Sequence, residues 1–340
     1  MMHAMSDPTG PHSDATAHPA VSVVMPVLNE GPHLEAAVAQ VLAQDYPGEF
    51  EVVLALGPST DDTDAVAARL AARDDRVRTV ANPSGRTPSA LNAAISASRH
   101  DIVVRVDGHA EIPADYLSTA VRTLAETGAD NVGGIMQAVG RTDFERAVAC
   151  AMRSRIGVGG GTFHLGGTAG PVDTVYLGAF RRSALDRVGG YDERYTRTQD
   201  WHLNLKLRQS GGTVWFTPDM AVTYRPRSTV GALARQYLQY GRWRRVVIRE
   251  HPGTANARYL AAPTMVVGTT AAAALGAVWA PALVVPAAYA AGVTVGGLVI
   301  SAGESLGTRL RTPVALATMH WAWGVGFLTS RGVPSEPDPA

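Results

Sequence analysis

From Val21 to about residue 140, short apolar runs alternate with segments whose apolar residues recur every three or four positions. Val21–Val27, Phe50–Leu56, Val77–Ala81 and Asp101–Val106 are near-continuous apolar stretches rich in β-branched residues, and each predicts a strand. Between them, Leu34, Val38, Val41 and Leu42 fall on one helical face, and 62–73 and 88–98 show the same periodicity. Residues 113–126 predict a further helix with proline in its first turn. Strands that are apolar throughout, alternating with helices, imply a mostly parallel α/β sheet covered on both faces. In such sheets ligands bind beyond the carboxyl ends of the strands, which directs attention to the residues after each strand.

The pattern changes near the other end. No charged residue occurs from Leu260 to Gly303, a run long enough for two spans of about 20 residues each, with Pro281 and Pro286 as breaks. A second charge-free run, 312–330, is a candidate for a third span. The expectation is two to three membrane helices over 259–330; the alternative is an Ala/Gly-rich hairpin buried in a soluble domain. Just upstream, Arg225, Arg227, Arg235, Arg242, Arg244, Arg245, Arg249 and Arg258 are offset by the single acid Glu250. Such a basic segment, 226–258, favours the cytoplasmic side of a membrane and contact with anionic lipids. Three spans would return Arg309 and Arg311 to that same side. Residues 1–20 are small and polar without an apolar core, so they read as a disordered lead-in, and 331–340 as a tail.

Composition narrows the classes. Zero formal net charge over 340 residues gives no general affinity for polyanions, and no nucleic-acid partner is expected. The single cysteine, Cys150, excludes an internal disulfide.

At the strand ends the chain reads Pro26-Val27-Leu28-Asn29-Glu30, then Ser59-Thr60-Asp61-Asp62-Thr63, then Asp107-Gly108-His109. Each alone has a plain reading as a helix cap or turn; three on one sheet edge favour a nucleotide pocket. Asp107 and His109, one residue apart, can hold a divalent ion that neutralises a departing diphosphate, Mn²⁺ or Mg²⁺. Asp200 stands at the start of a helix expected to be amphipathic, carrying Leu203, Leu205 and Leu207. It is placed either as an N-cap or as the carboxylate that takes a proton from an acceptor hydroxyl.

These motifs, with Ser89-Ala90-Leu91-Asn92-Ala93, Arg105-Val106-Asp107-Gly108-His109, Tyr176-Leu177-Gly178-Ala179-Phe180, Gly189-Gly190-Tyr191-Asp192-Glu193 and Gln199-Asp200, resemble glycosyltransferase family 2. More narrowly, the chain is similar to the membrane-bound bacterial enzymes of exopolysaccharide synthesis, the succinoglycan type among them. The likeness runs from about Val21 to His251. It implies a GT-A nucleotide-sugar-binding domain over 21–225 and inverting, metal-dependent transfer of a hexose from a nucleotide sugar, UDP-linked by family default. The acceptor implied is lipid-linked or membrane-associated, as in cell-surface polysaccharide or glycolipid synthesis, with the catalytic domain cytoplasmic.

By position, the resemblance implies that Pro26, Asn29 and Glu30 line the base and ribose, with Asp61 nearby, and that Arg86 and Asn92 approach ribose or diphosphate. Asp107 binds the diphosphate through metal with His109 as second ligand, Gly178 and Ala179 form the acceptor wall, and Asp200 is the general base. Gln239, Arg242 and Trp243, in Gln239-Tyr240-Gly241-Arg242-Trp243, hold the diphosphate and the acceptor end. The glycine run 159–161 suggests a mobile acceptor loop. Two departures stand out: Leu56 replaces an aspartate that contacts uracil in relatives, and His202 stands where relatives often carry an acid. They motivate the alternative of a catalytically weak membrane scaffold or sugar-binding subunit.

Overall fold

The computed structural model describes residues 18–332; most of the polar lead-in and of the tail lies outside them. The first half is built from β1 (Val21–Val27), α1 (Gly31–Leu42), β2 (Phe50–Leu56), α2 (Thr63–Arg73), β3 (Val77–Ala81), α3 (Thr87–Ala97), β4 (Ile102–Arg105) and α4 (Tyr116–Thr127). Then come β5 (Asn131–Gly134), β6 (Met136–Ala138), α5 (Asp143–Met152), the one-turn α6 (Arg155–Val158) and α7 (Thr162–Leu165), and β7 (Gly170–Pro171). The domain closes with β8 (Tyr176–Arg181), α8 (Arg182–Val188), α9 (Gln199–Gln209), β9 (Val214–Phe216) and β10 (Val222–Tyr224). Beyond it lie α10 (Val230–Glu250), α11 (Ala261–Leu275), α12 (Val284–Ile300) and α13 (Leu306–Thr329).

The main sheet runs β3-β2-β1-β4-β8-β5-β9-β7, with β3, β2, β1 and β4 parallel and β8 antiparallel to both its neighbours. In β1, Val21, Val23, Met25 and Val27 join the core under α1 and α4, while Val24 joins the opposite core under α3 and α8. That two-sided burial, worth roughly 1.5–3 kcal/mol for each large apolar side chain, is why strand and sequence run coincide over β1 and β2. Because β1 is paired with β2 on one side and β4 on the other, a crevice opens beyond their carboxyl ends.

Helix α4 starts three residues later than expected, since the Pro113 carbonyl is taken by Gln44 Nε2 at 2.8 Å and by the Tyr116 amide at 3.2 Å. Helix α9 is not amphipathic either. Trp201, His202, Leu203, Asn204, Leu205 and Leu207 are all buried, so it is wrapped by the protein on most sides.

In the C-terminal region the break between the two apolar helices falls at 276–279, ahead of a 3-10 turn over Ala280–Leu283, and Pro286 sits within the first turn of α12. The segment Ala280–Ile300 is the one stretch, among the described residues, long and apolar enough to cross a membrane. Helix α11 has 15 residues, or about 22 Å, short of the ~30 Å hydrocarbon layer. The run 312–330 forms α13, which is packed into the protein: Thr308, Thr312, Ala315, Leu316 and Met319 are buried. One candidate span therefore replaces the expected two to three. The buried-hairpin alternative also fails, because Val284, Val295 and Val299 of α12 point outward, Val299 being 67 % exposed.

Helix α13 ties this region to the rest. A Cβ on Gly241 of α10 would fall on the Trp323 carbonyl, and one on Gly326 on the Leu238 carbonyl, so glycine is what lets the two backbones approach. At its other end Ser305 caps α13 and donates to Asp143 Oδ1 of α5 at 2.9 Å.

Candidate active site

The first loop is locked to the second. Asn29, with a left-handed φ of 54°, accepts from the Thr60 amide through Oδ1 at 2.8 Å, while its own N–H donates to Ser59 Oγ at 3.0 Å. The Glu30 amide donates to Thr63 Oγ1 at 2.8 Å, and Asp61 Oδ2 accepts from the Gly31 amide at 3.1 Å. Hydrogen bonds from Thr63 and Gly31 hold the Asp61 carboxyl below its usual range. Pro26 lies between them in register with Ala55. Arg86, the residue before α3, is exposed at the end of β3.

The third loop joins them through His109, whose Nδ1 pairs with Glu30 Oε1 at 2.6 Å. That bond, aided by the Asp107 charge, raises the His109 pKa. It also fixes the ring and leaves Nε2 for a ligand, the way a carboxylate orients a metal-binding histidine. Asp107 and His109 thus fit a divalent ion as a carboxylate-imidazole pair. Among the described residues no third acidic, His or Cys ligand joins them, so diphosphate oxygens and water would complete the shell.

Arg105 occupies the centre. It is 4 % exposed, yet its Nε donates to Asp107 Oδ1 at 2.8 Å and its Nη1 is paired with Asp200 Oδ1. Burial opposes the guanidinium's charge, but Asp107 and Asp200 outweigh it and hold the group ionised. Burial raises the Asp200 pKa, Arg105 opposes that rise, and the nearby Asp107 charge adds to it; the net shift is upward. A carboxylate at the cleft wall with a raised pKa is suited to proton abstraction. Asp200 is in the first turn of α9 and the cap position belongs to Thr198, so the N-cap role does not apply. The sequence reading gave Arg105 no role, although an arginine inside the apolar run Ile102–Val106 was its signal.

Residues 22–189 match the family described as "Glycosyl transferase family 2". The chain is 32 % identical over 318 residues to "Succinoglycan biosynthesis protein ExoA" of Rhizobium meliloti (strain 1021), covering 93 % of this chain and 96 % of that one. The chain belongs to glycosyltransferase family 2. A more distant member is a dolichyl N-acetyl-alpha-D-glucosaminyl phosphate glycosyltransferase of Methanococcus voltae, 24 % identical with 68 % of this chain and 74 % of that one covered. Among solved structures, the mannosyltransferase PcManGT from Pyrobaculum calidifontis, in complex with GDP-Man and Mn²⁺, superposes with a TM-score of 0.58 at 22 % identity, covering 92 % and 88 % of the two chains. That likeness is one of fold: this is a glycosyltransferase of family 2 with the GT-A fold.

Within this family site several of the residues expected to touch ligand are placed elsewhere. Asn92 donates to the Tyr191 carbonyl at 2.9 Å and to Glu193 Oε1 at 3.0 Å, and accepts from the Tyr191 amide, so it clamps the 191–193 loop and not the donor. Ala179 pairs with Val104 and Val132 mid-sheet and is fully buried, and Gly178 is buried beside it against Asn131 and Phe180. Neither is an acceptor wall. Trp243 is 1 % exposed and packs on Tyr195, its ring 5.7 Å away, so it cannot stack on a sugar. His202 is buried, stacked on Tyr195 at 4.1 Å, and burial pushes its pKa down to about 4. From α9 its ring packs on Tyr195 and lies 5.3 Å from that of His251. Gln239 and Arg242 lie one turn apart on α10, and Gln239 Oε1 is buried without a hydrogen-bond partner. The 157–168 segment folds into the single turns α6 and α7 around its glycines.

Proposed function

We propose that this family 2 enzyme is an inverting hexosyltransferase that moves a sugar from a nucleotide donor to a lipid-linked or membrane-associated acceptor, in cell-surface polysaccharide or glycolipid synthesis. The observation that carries the reading is the convergence of Asp107 and Asp200 on the one buried guanidinium of Arg105. With Asp107 taken as the diphosphate-side carboxylate and Asp200 as the base, this closeness supports single-displacement chemistry. Asp200 takes the proton of the acceptor hydroxyl, and that oxygen forms its bond to the anomeric carbon. The carbon–oxygen bond to the diphosphate breaks on the opposite face, its electron pair leaving with the nucleoside diphosphate, so configuration inverts.

Asp107 and His109 would hold a divalent cation, which when bound supplies Lewis-acid stabilisation of the leaving diphosphate. The paired loops at Asn29–Glu30 and Ser59–Asp61 form the nucleoside seat; UDP is the family's default base, with Leu56 removing one usual contact to uracil. Membrane anchorage through α12, with the catalytic domain cytoplasmic, is supported by its outward apolar side chains and the arginines of α10. A panel of UDP- and GDP-sugars with Mn²⁺ or Mg²⁺ tests the proposal. Donor turnover that disappears in Asp200→Asn while donor binding persists is the expected result; absence of donor binding in the native chain would overturn it.

A further inference from the structure

The α11–α12 pair leaves the body of the molecule and returns to it at one place. Helix α10 lies on the catalytic domain, with Trp243 against Tyr195 and Arg244 over the ring of Trp201 at 5.0 Å. Helix α13 is fastened to α10 at Gly241 and Gly326 and to α5 through Ser305. The chain before α11 and the chain after α12 are thus held by one body. A single crossing of a bilayer by α12 would carry α13 to the face opposite α10 and α5, which these contacts forbid. Between Leu260 and Ser305 the chain crosses twice or not at all.

The feet of the two helices meet the same segment. Arg258, just ahead of α11, reaches Gly160: a Cβ there would sit 3.5 Å from its Nη1. Near the end of α12, a Cβ on Gly296 would sit 3.0 Å from Ile156 Cδ1. Arg153 and Arg155, with Ile156 and Ile300, line a hollow of about 640 Å³ at this level. Among the described residues, Arg153, Arg155 and Arg258 have no carboxylate within ion-pair distance. Cations without compensating acids at the foot of an apolar hairpin suit the level of anionic lipid headgroups.

The far end has the opposite character. In Gly276-Ala277-Val278-Trp279-Ala280-Pro281-Ala282-Leu283 the only side-chain hydrogen-bonding group is the Trp279 indole. Val278 is 86 % exposed, and Trp279, Leu283 and Val284 are exposed with it. The backbone of this turn is closed on itself. The amides of Gly276, Ala277, Val278 and Trp279 donate to carbonyls of α11 at 2.8–3.2 Å, and that of Ala282 to the Trp279 carbonyl at 3.0 Å. Hydrocarbon admits only backbone whose polar groups are satisfied within the protein, and this turn meets that demand to an extent a turn in water does not need. Its reach is limited, however. Tyr289 lies against the rings of His320 and Trp321, with centres 6.2 and 6.4 Å away. Residues 280–288, beyond that contact, add about 15 Å, half of the ~30 Å hydrocarbon layer.

We propose that α11 and α12 form a re-entrant hairpin. Both helices enter the bilayer from the face on which the catalytic domain lies, and the turn 276–283 ends among the acyl chains without reaching the far surface. The inference rests on the membrane anchorage proposed above and gives it a topology. Its test uses the full chain on a Cys150→Ala background, added to preformed vesicles of phosphatidylcholine and phosphatidylglycerol. Gly253→Cys and Gly303→Cys, where a Cβ meets nothing within 4 Å, mark the chain before and after the hairpin, and Val278→Cys marks the turn. An impermeant maleimide is expected to label both glycine positions from outside and position 278 from neither face, before or after permeabilisation. A bimane placed at 278 before reconstitution should be quenched by nitroxide lipids and not by iodide. Val278→Asp is expected to weaken vesicle binding on the order of tenfold or more, with acceptor-free donor hydrolysis unchanged. Labelling of the two glycine positions from opposite faces, labelling of 278 from either face, or undiminished binding by Val278→Asp overturns the proposal. Failure of the native chain to bind vesicles would overturn the anchorage as well, whereas failure of donor hydrolysis would count against the transferase reading alone.

Discussion

The donor edge of the sheet and the arginine-lined hollow beneath it are built on opposite plans. At the strand ends polar side chains are held by partners: Asn29 by Thr60 and Glu30 by His109 from other loops, and Asp107 by Arg105 at the end of its own strand. Among the described residues, the cations around 153–160 and on α10 have no carboxylate within ion-pair distance. Pre-paired groups cost little reorganisation when charge develops in a transition state, whereas unpaired cations gain most when an anion arrives. The first plan suits chemistry on a substrate held in one geometry. The second suits recognition of a charged group.

Substitutions that break the donor-edge plan are expected to act hardest. Asp200→Asn removes the only proposed proton acceptor and is expected to lower kcat by about 10²–10⁴-fold, measured as nucleoside diphosphate release with acceptor present. In the native enzyme the acid limb of the pH–rate profile should lie above the ordinary aspartate range, because the Asp200 pKa is raised and only the ionised form accepts a proton. Arg105→Gln leaves Asp107 and Asp200 facing each other without the cation between them. It is expected to lower kcat by about 10²-fold, more than KM changes, and Arg105→Lys is expected to recover part of that loss.

A smaller effect sharpens the comparison by separating packing from recognition. Trp243→Ala should cost about 3–5 kcal/mol of stability, read from thermal unfolding, while donor KM in the surviving folded fraction stays near native. A sugar-stacking Trp243 would give the reverse. The smallest effect concerns Glu51, far from the cleft. Although burial works to raise its pKa, bonds from Arg78, Ser22 and the Arg99 amide hold it below the usual glutamate range. Its contribution is therefore present above the unfolded-state pKa and lost as pH falls through the lower folded value. Glu51→Gln should reduce the loss of unfolding free energy below about pH 4.5 by about 1–2 kcal/mol, read from denaturant unfolding at several pH values.

What the sequence disclosed follows from what each signal depends on. β1 and β2 could be read to the residue because burial on both faces demands largely apolar side chains, whereas the edge strand β3 keeps Arg78 and Thr79 and buries only Val77. The start of α4 depended on the carbonyl of Pro113 meeting Gln44 across the fold, which no local pattern records. Motif resemblance located the neighbourhood of Asn92, Ala179 and Trp243 without showing what each side chain touches: Asn92 is half-buried on the 191–193 loop, and Ala179 and Trp243 are buried. Arg105 was on view as a charge in an apolar strand, but its meaning needs Asp200, 95 positions away in the chain. Among the described residues one helix is long and apolar enough to cross a membrane where two to three were expected, and α13 packs its small residues against α10, α11 and α12.

Helix α13 has one more consequence. It is wedged against α10 at Gly241 and Gly326, against α11 at Gly324 and against α12 through Pro313 on Gly297, while Asp143 fastens its start to α5. Among the described residues these contacts join the apolar helices to α10 and α5 of the part that carries Asp200. With α12 in a bilayer, the reacting carboxylate stands at one set height above the lipid, like the jaw of a caliper. The enzyme would thus gauge its acceptor by how far the growing end projects from the membrane as well as by the sugar found there.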